Sequence, residues 1–471
     1  MWDFTHFPKM TINLSIFLFI FAAKTTYMEI YREISEKLDD WRLSDDRRPL
    51  IIQGARQVGK TWVMKKFGEE HYEHTAYFNF EASKELCVEF GKTKDPVRLV
   101  GILELYSQCP ITPEKTLIIF DEIQECPDAL NSLKYFCEEA PQYHLMAAGS
   151  LLGVAIHHHK GFPVGKVDFL HMYPITFREF LRYENKTIYD FIEALDSISP
   201  LPEIVSGKLW ESFRRYEICG GMPKAVVASL TNKGNAAIEK EQEEILTSYH
   251  FDFSKHTSAA EFPRITAVWQ SLPSQLAKEN RKFIYKVVKP GARAREYETA
   301  ISWLREAGLV YQVFCASKPG LPLSAFDDLN AFKLYMLDIG LLRSLAKLPP
   351  EIFTDTNPLF SEFKGALTEN IVAQALTVQF QQQPRYWVSN GTAEIDFLIQ
   401  DGLSIVPVEV KSSTNTAGKS LSVYIGKYSP ETAIIFSAKD LTASHGNDDV
   451  TRILNIPLPL IDWLPKILTL S

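Results

Sequence analysis

The stretch GARQVGKT, residues Gly54–Thr61, combines residue types and a spacing that suit phosphate chemistry. Its two glycines allow the backbone to curl so that several N–H groups point at one anion. The apolar run before it reads as a strand and the pattern after it as a helix, whose N-terminus adds a partial positive charge. This phosphate loop (Gly54–Thr61) matches G-x-x-x-x-G-K-[ST] at every required position and predicts a nucleotide site.

The phosphate loop divides into a backbone cradle and two side chains that carry chemistry. Lys60 is expected to reach the β- and γ-phosphates, and Thr61 to give its hydroxyl to Mg²⁺. ATP and Mg²⁺ are therefore the predicted cofactors. The residues expected to contact the nucleotide are Gly54, Ala55, Arg56, Gln57, Val58, Gly59, Lys60 and Thr61.

Two carboxylates follow the apolar run LIIF, with Asp121 lying sixty-one residues after Lys60 (121 − 60). Asp121, at the end of a strand, is expected to hold the Mg²⁺ shell, and Glu122 to polarise an attacking water. Alone, either carboxylate would read as a helix N-cap, but the pair after this strand favours ATP hydrolysis. Ser150 ends the run HLMAAGS and is predicted to contact the γ-phosphate or the water.

The elements that must position these side chains follow a regular pattern from Pro49 onward. Short apolar runs alternate with longer amphipathic stretches, which is typical of an α/β domain with a parallel sheet. The predicted buried strands are residues 49–54, 76–80, 116–122, 144–150 and 167–172.

The middle of the chain changes character. Residues 176–260 read as mostly helical, and a helix, a loop, a second helix and a strand at 309–314 then suggest a winged-helix-like region. A group of basic residues crowds this region and reads either as a solvated face or as a surface that contacts the phosphate backbone of DNA. These residues are Lys278, Arg281, Lys282, Lys286, Lys289, Arg293 and Arg295.

Composition limits the function classes. A chain of 471 residues is long enough for several domains, and a net charge of −8 argues against broad, non-specific binding to nucleic acid. The six cysteines form no C-x-x-C pair, as expected of reduced thiols in a cytoplasmic protein. Three adjacent imidazoles, His157–His159, read as an exposed loop and not as a metal site.

The apolar run Met10–Ala23 has about the length of a signal-peptide core and is too short to span a bilayer as a helix. The nucleotide motif that follows is of cytoplasmic type, and the stretch from Met28 reads as an amphipathic helix. We therefore expect the native protein to start at Met28, residues 1–27 to be a non-native extension, and no membrane to be a partner.

A second group of charged residues lies near the C-terminus, in the runs EIDFLI and VPVEVK. If Asp401–Gly402 is a two-residue hairpin loop, Glu394 faces Glu409 and Asp396 is the diagonal neighbour on the same face. Lys411 shares the face of Glu409, because side chains of a strand repeat every two residues. Three carboxylates and one lysine would then converge, which requires compensation by the lysine or by a metal ion.

Six motifs together resemble the AAA-type P-loop ATPases of bacteria and archaea that carry an uncharacterised C-terminal domain: GARQVGKT, LIIFDEIQ, AAGS, YPITFREFL, GGMPKAV and EIDFLI…VPVEVKSS. The resemblance runs from about Met28 to the end of the chain. It implies the strand order 5-1-4-3-2, a helical lid and assembly into homo-oligomers. One departure is Lys166, which stands where the family usually has the arginine of a GR pair. Lysine cannot form the bidentate hydrogen bonds by which arginine binds a phosphate.

The C-terminal charged residues also resemble the core of PD-(D/E)XK nucleases. The resemblance implies that Asp396 and Glu409 hold Mg²⁺, that Lys411 orients a water, and that Glu369 is the acidic residue of the first helix of that fold. The other reading is a nuclease-like domain that keeps the fold, with its charges in a surface network.

The sequence therefore predicts an α/β protein with Mg²⁺-dependent ATPase activity that acts on DNA through its C-terminal half. The alternative is an ATP-binding switch or adaptor with negligible turnover that binds a protein or DNA partner. The predicted division is 1–27 as an extension, 28–180 as the ATPase domain, 181–260 as a helical lid, 261–350 as the winged-helix-like region, and 351–471 as the nuclease-like domain.

Overall fold

The computed structural model describes residues 29–150, 152–153, 162–278, 281–353, 361–412 and 418–470. The expectations for residues 1–27 and for His157–His159 lie outside these residues. The described part contains one β-sheet of five strands and one of eight, with helices packed against them.

The first sheet is parallel throughout and has the strand order β2-β3-β4-β1-β5. Its strands are β1 Leu50–Gln53, β2 His74–Asn79, β3 Thr116–Asp121, β4 His144–Ala148 and β5 Asp168–His171. Read from the other edge, this order is 5-1-4-3-2, so the predicted order and the predicted strands are confirmed. Because one core contains Leu117 and Ile119 and another contains Ile118 and Phe120, both faces of β3 are buried, which explains its unbroken apolar run.

Five helices accompany this sheet. They are α1 Ile34–Leu43, α2 Lys60–His71, α3 Lys84–Lys92, α4 Pro96–Ser107 and α5 Pro127–Glu139. Local chemistry sets where they begin. In α4, the Asp95 side chain accepts the Val97 N–H (2.9 Å), and Pro96 occupies a first-turn position where no N–H is needed.

The segment predicted to be mostly helical is confirmed as helical. It contains α6 Phe177–Glu184, α7 Lys186–Glu193, α8 Glu203–Cys219, α9 Pro223–Leu230 and α10 Asn235–His256. Glycines separate α8 from α9 for a steric reason. A Cβ on Gly221 would lie 2.1 Å from Ile175 O, and the Gly221 N–H donates to Asp338 Oδ2 (2.6 Å).

Three helices and an antiparallel strand pair come next along the chain. They are α11 Phe262–Leu276, α12 Tyr285–Val288, α13 Ala294–Glu306, β6 Val310–Ala316 and β7 Asp327–Met336. Since β6 also pairs in parallel with the strand at 385–388, this hairpin belongs to the second sheet. The winged-helix assignment for this region stays a prediction.

The second sheet is mixed and has the order β12-β13-β11-β10-β9-β8-β6-β7. Its further strands are β8 Arg385–Val388, β9 Glu394–Asp401, β10 Ser404–Val410, β11 Thr432–Ser437, β12 Thr442–His445 and β13 Arg452–Pro457. The remaining helices are α14 Ile339–Leu345, α15 Ser361–Phe380, α16 Lys419–Tyr428 and α17 Leu464–Thr469. The predicted helix at 362–380, the strand at 385–388 and the hairpin are confirmed.

The predicted register of the β9–β10 hairpin is wrong by two residues. Asp401 pairs with Ser404, so the turn consists of Gly402 and Leu403 and not of Asp401 and Gly402. Gly402 has a φ of 56°, and a glycine with positive φ at the first central position is typical of type II′ hairpin turns. A shift of two keeps every side chain on its face but changes which residues oppose each other.

One hydrophobic core runs without interruption from the first sheet to the second. It includes Ile30, Met146, Tyr216, Phe397 and Ile467, so residues of every predicted domain from 28 onward contribute to it or pack on it. Within the described residues, no helix combines the length and the apolar character needed to cross a membrane.

Candidate nucleotide site and carboxylate cluster

The phosphate loop connects β1 to α2, as the sequence pattern predicts. Gly54 has a φ of 147°, and a Cβ there would lie 2.2 Å from Met172 O. Gly59 has a φ of 101° at the residue that precedes α2. The two glycines therefore stand where other residues would be strained or would clash, and the loop closes tightly over the N-terminus of α2.

Lys60 points back into the phosphate loop. Its Nζ donates to Gly54 O and to Ala55 O, each at 2.8 Å, and the side chain is buried. Burial lowers the pKa of Lys60 to about 8, while the negative charges of Glu122 and Asp121 oppose that shift. The ammonium is thus held by carbonyl groups at the place where a phosphate would come close.

Thr61 and Asp121 meet as the motif predicts. Thr61 Oγ1 donates to Asp121 Oδ2 at 2.7 Å, and Tyr77 Oη donates to the same oxygen at 2.8 Å. A hydroxyl and a carboxylate side by side are oxygen ligands of the kind that Mg²⁺ prefers. The donor set therefore fits Mg²⁺, with Thr61 and Asp121 as the residues that would hold it.

Glu122 lies directly after β3 in a strained backbone conformation, with a φ of 50°. Its Oε2 accepts hydrogen bonds from Ser150 Oγ (3.0 Å) and from Gln124 Nε2 (2.7 Å). The structure thus brings Glu122 and Ser150 together. The sequence reasoning gave no role to Gln124 or Tyr77, although Gln124 lies in the quoted motif LIIFDEIQ.

Two arginine–carboxylate pairs hold the phosphate loop from different sides. On one side, Arg32 donates to Val58 O (2.9 Å) and pairs with Glu179 (3.2 Å), and both side chains are at most 6% exposed. On the other side, Arg56 pairs with Asp252 of α10 at 2.5 Å, and Arg56 is 34% exposed. The sequence analysis missed Arg32, Glu179 and Asp252, because each lies far from the loop along the chain.

A cavity of about 390 Å³ opens beside Gly59. Ile30, Trp62, Pro223 and Val227 contribute apolar walls to it. The lining also includes the charged residues Lys224, Lys233, Glu241 and Glu244. A cavity with apolar walls and a few polar groups next to a phosphate loop suits a flat heterocyclic base. The GGMPKAV motif, quoted for its resemblance only, supplies Pro223 and ends one residue before Val227, and it was the available signal for this cavity.

Lys166 lies away from these groups. Its Nζ forms an exposed ion pair with Glu138 at 2.9 Å, on the outer side of the first sheet. Among the described residues, Lys166 forms no hydrogen bond or ion pair with the phosphate loop.

The C-terminal carboxylates converge as expected, with the corrected register. Continuing the pairing of Val408 with Phe397 places Glu409 opposite Asp396. Asp396 Oδ2 accepts the Val410 N–H at 2.8 Å. Burial, and then the charges of Glu369 and Glu409, raise the pKa of Asp396 well above its ordinary range. The Glu409 pKa is also raised by burial, although Lys411 opposes the shift.

Each of the surrounding carboxylates has a cationic partner. Lys411 Nζ lies 2.6 Å from Glu409, and Arg281 lies 2.5 Å from Glu369. Lys333, which is fully buried on β7, lies 2.6 Å from Glu394 and 3.9 Å from Glu369. The sequence reasoning missed Lys333 and Arg281 as partners; a lysine within the apolar run FKLYM was the only signal.

This cluster does not fit the metal site of a nuclease. The third carboxylate, Glu369, is held by Arg281 and accepts a hydrogen bond from Tyr335 Oη at 3.0 Å. In the residues that the structure describes, no group of three or more His, Cys, Asp or Glu side chains is arranged to hold a metal ion. Arg281, Lys333 and Lys411 instead supply positive charge beside Glu369, Glu394 and Glu409.

The basic segment 278–295 divides into two parts. Arg281 belongs to the buried cluster, whereas the other basic side chains lie exposed around α12 and the start of α13. The exposed residues are Lys278, Lys282, Lys286, Lys289, Arg293 and Arg295.

Comparisons with known proteins agree with the first sheet and its loop. A model of the AAA domain matches residues 46–181. Two models described as domains of unknown function match the rest, DUF8612 at residues 210–352 and DUF4143 at residues 364–460. No curated protein matches the chain.

Among solved structures, the chain is similar to the Aeropyrum pernix ORC1 protein in complex with DNA. The identity is 12% and the TM-score 0.27, over 67% of this chain and 91% of that chain, and a likeness at this level carries no argument about ligand or activity. The domain match, the strand order and the phosphate loop agree with one another, so residues 46–181 form an AAA-type P-loop domain.

Proposed function

We propose that the protein binds Mg-ATP and hydrolyses it at the phosphate loop. One observation carries the proposal: two pairs of side chains from separate segments meet beside the buried Lys60. Thr61 Oγ1 lies 2.7 Å from Asp121, and Ser150 Oγ lies 3.0 Å from Glu122. A metal-binding pair and a water-activating pair beside one phosphate loop are the groups that phosphoryl transfer to water requires.

In this proposal the loop N–H groups bind the phosphates, and the Lys60 ammonium exchanges its two backbone carbonyls for β- and γ-phosphate oxygens. Mg²⁺, held by Thr61 and Asp121, would supply charge neutralisation of the phosphates. Glu122 orients a water and accepts its proton as the oxygen–phosphorus bond forms and the bond to the bridging β–γ oxygen breaks. Ser150 and Gln124 keep the Glu122 carboxylate in place. The apolar cavity at Trp62 receives the base.

Nucleotide binding and hydrolysis by the Lys60→Ala variant test the proposal. Removing the ammonium from the phosphate site is expected to weaken ATP binding about 100-fold, since a charge-assisted contact to phosphate is worth up to about 3 kcal/mol. Lys66→Ala is the matched control, because Lys66 lies on the same helix in exposed ion pairs with Glu29 and Glu70. Equal loss, or no loss, in both variants would contradict the proposal.

The alternative is an ATP-binding switch or adaptor with negligible turnover. Lys166 favours it, because the family usually has an arginine at this position and lysine cannot bind a phosphate through two parallel N–H groups. The two functions differ in one measurement: a hydrolysis rate that is near zero and unchanged in Glu122→Gln supports the switch, with its partner a protein or DNA.

For the C-terminal half we propose a nuclease-like fold without metal chemistry, which acts on double-stranded DNA by binding it. The exposed basic residues around α12 support DNA as the ligand, and the paired carboxylates support the loss of cleavage. Replacing Lys286, Lys289 and Arg293 together by glutamine should weaken DNA binding and lower its salt dependence. Cleavage of DNA in Mg²⁺ that Asp396→Asn abolishes would overturn the proposal.

We also propose a cytoplasmic location, a homo-oligomeric assembly and the division at residues 180, 260 and 350. These boundaries separate sequence segments and not independent sheets, because β6 and β7 precede residue 350 and belong to the second sheet. The free state of all six cysteines supports the location. Light scattering on the protein with and without ATP tests the assembly, and a monomer under both conditions would remove it from the proposal.

A further inference from the structure

Helix α10 holds the phosphate loop through three side chains. Asp252 Oδ1 lies 2.5 Å from Arg56 Nη1, and Tyr249 Oη donates to Arg56 O at 2.9 Å. Gln57 Nε2 donates to Ser248 Oγ at 2.7 Å. Two consecutive residues of the loop are therefore positioned by a helix that lies almost two hundred residues further along the chain, as the separation of 196 between Arg56 and Asp252 shows.

The same end of α10 borders the catalytic side of the site. Burial raises the pKa of Asp252, Arg56 opposes that shift, and the negative charge of Glu122 adds to it. Lys255, one turn further, pairs at 2.6 Å with Glu81, which follows β2. The carboxylate of Asp252 thus lies within electrostatic range of Glu122, where the additional charge of a γ-phosphate would be felt.

The other end of α10 is anchored in the second half of the molecule. Gln242 Nε2 donates to Ile218 O and Cys219 O, each at 3.0 Å, and Gln242 Oε1 accepts from Arg343 of α14 at 2.8 Å. Arg343 is buried. Helix α10 therefore connects the phosphate loop to the turn before α9 and to α14.

The two arginine pairs of the loop differ in a way that assigns them different roles. The pair of Arg32 with Glu179 is closed off from solvent, with side chains 6% and 4% exposed, and suits a permanent support. Arg56 is 34% exposed although its partner Asp252 is 9% exposed, so the guanidinium has an open side from which a second anion can approach. A planar guanidinium binds a phosphate oxygen pair as well as it binds a carboxylate.

We propose that Arg56 is a γ-phosphate-sensing residue that exchanges Asp252 for the γ-phosphate, so that α10 is bound to the loop with ADP and released with ATP. The inference rests on the proposed function and adds to it the route by which nucleotide state reaches the second half. The driving force is electrostatic. The γ-phosphate attracts the guanidinium and repels the Asp252 carboxylate, so both partners of the ion pair are drawn apart.

Hydrogen exchange of backbone amides in the full-length protein tests this exchange of partners, with ADP and with the β,γ-imido analogue of ATP, both with Mg²⁺. The C-terminal half of α10 should exchange about fivefold faster or more with the analogue than with ADP. In Asp252→Asn it should exchange fast with both nucleotides. The same variant should bind the analogue about tenfold more tightly relative to ADP, because Arg56 no longer has a competing carboxylate.

Asp190→Asn is the matched control, since it removes an exposed carboxylate that pairs with Lys186 at 2.7 Å far from the loop. It should leave both the exchange of α10 and the nucleotide preference unchanged. Equal exchange of α10 with ADP and with the analogue, while both nucleotides protect the phosphate loop, would overturn the inference and leave the proposed function intact. Failure of both nucleotides to protect the phosphate loop would instead contradict the proposed function.

Discussion

The phosphate loop and the C-terminal cluster both contain lysines and carboxylates near strand ends, but the charged groups of the two sites have different kinds of partner. At the loop, the Lys60 ammonium bonds carbonyl groups, and Asp121 and Glu122 bond hydroxyl and amide groups. Neither carboxylate forms an ion pair with a described residue. In the C-terminal cluster, Lys333 and Arg281 are ion-paired with carboxylates. Charged groups that have no ion-pair partner among the described residues and lie beside a phosphate loop suit an external ligand, whereas the ion pairs around Asp396 suit a structural network.

From this comparison we expect that, of the substitutions considered, replacement of Lys333 lowers the stability of the protein most. Replacing it by methionine keeps the volume but leaves Glu369 and Glu394 with less positive charge in a buried place. The free energy of unfolding is expected to fall by about 3–5 kcal/mol, as when one partner of a buried pair is removed. Thermal unfolding of the Lys333→Met variant and of the native protein measures this difference in stability.

Lys347→Met is the control for that change, because Lys347 forms an exposed ion pair with Glu243. An exposed pair is worth about 0–1 kcal/mol. If both variants unfold at the same temperature, the C-terminal cluster is not a structural network, and the contrast with the phosphate loop fails.

Asp396 gives a smaller effect that depends on pH. Its pKa is raised in the folded protein, chiefly by burial, so the folded state holds the proton more firmly than the unfolded state does. The stability from this group is fully present below the ordinary Asp pKa of about 4 and is lost as pH rises through the folded pKa, with a limiting slope of about 1.4 kcal/mol per pH unit. Asp396→Asn should therefore show a flatter fall in unfolding temperature between pH 5 and pH 8. Parallel curves for the two proteins would contradict this account.

The smallest expected effect comes from titration of Lys60, which should change the affinity for ATP and not the stability of the protein. Its pKa of about 8 means that about half of the ammonium groups of the free protein have lost their proton at pH 8. A bound phosphate raises that pKa, so ATP affinity should be level below pH 8 and fall by up to about tenfold per pH unit above it. Calorimetry at pH 7 and pH 9 measures the fall. Lys60→Arg should bind more weakly with a level profile, and a level profile in the native protein would show that Lys60 does not titrate there.

The sequence was sufficient for the parts of the molecule where local pattern and structure coincide. The apolar runs at β1, β3 and β4 are buried on both faces, so these strands could be read from composition alone. The pairing of Thr61 with Asp121 follows from their positions after β1 and at the end of β3, because all strands of a parallel sheet end at the same edge.

Other features could not be read because they depend on tertiary partners. The hairpin register was wrong by two since the turn prefers Gly402 at its first central position, and the DG pair placed it second. Lys333 and Arg281 reach Glu369 from segments that precede it by 36 (369 − 333) and 88 (369 − 281) residues. No spacing rule connects such segments, so their compensation of the carboxylates appears only in the folded chain.

The rate of Mg²⁺-dependent ATP hydrolysis by Glu122→Gln, beside that of the native protein, tests the central claim most directly. The amide cannot accept the proton of the attacking water, so the rate should fall about 100-fold or more, while ATP affinity stays within about threefold. A native protein that hydrolyses ATP no faster than Glu122→Gln would contradict the claim that this carboxylate, held by Ser150 and Gln124, serves catalysis.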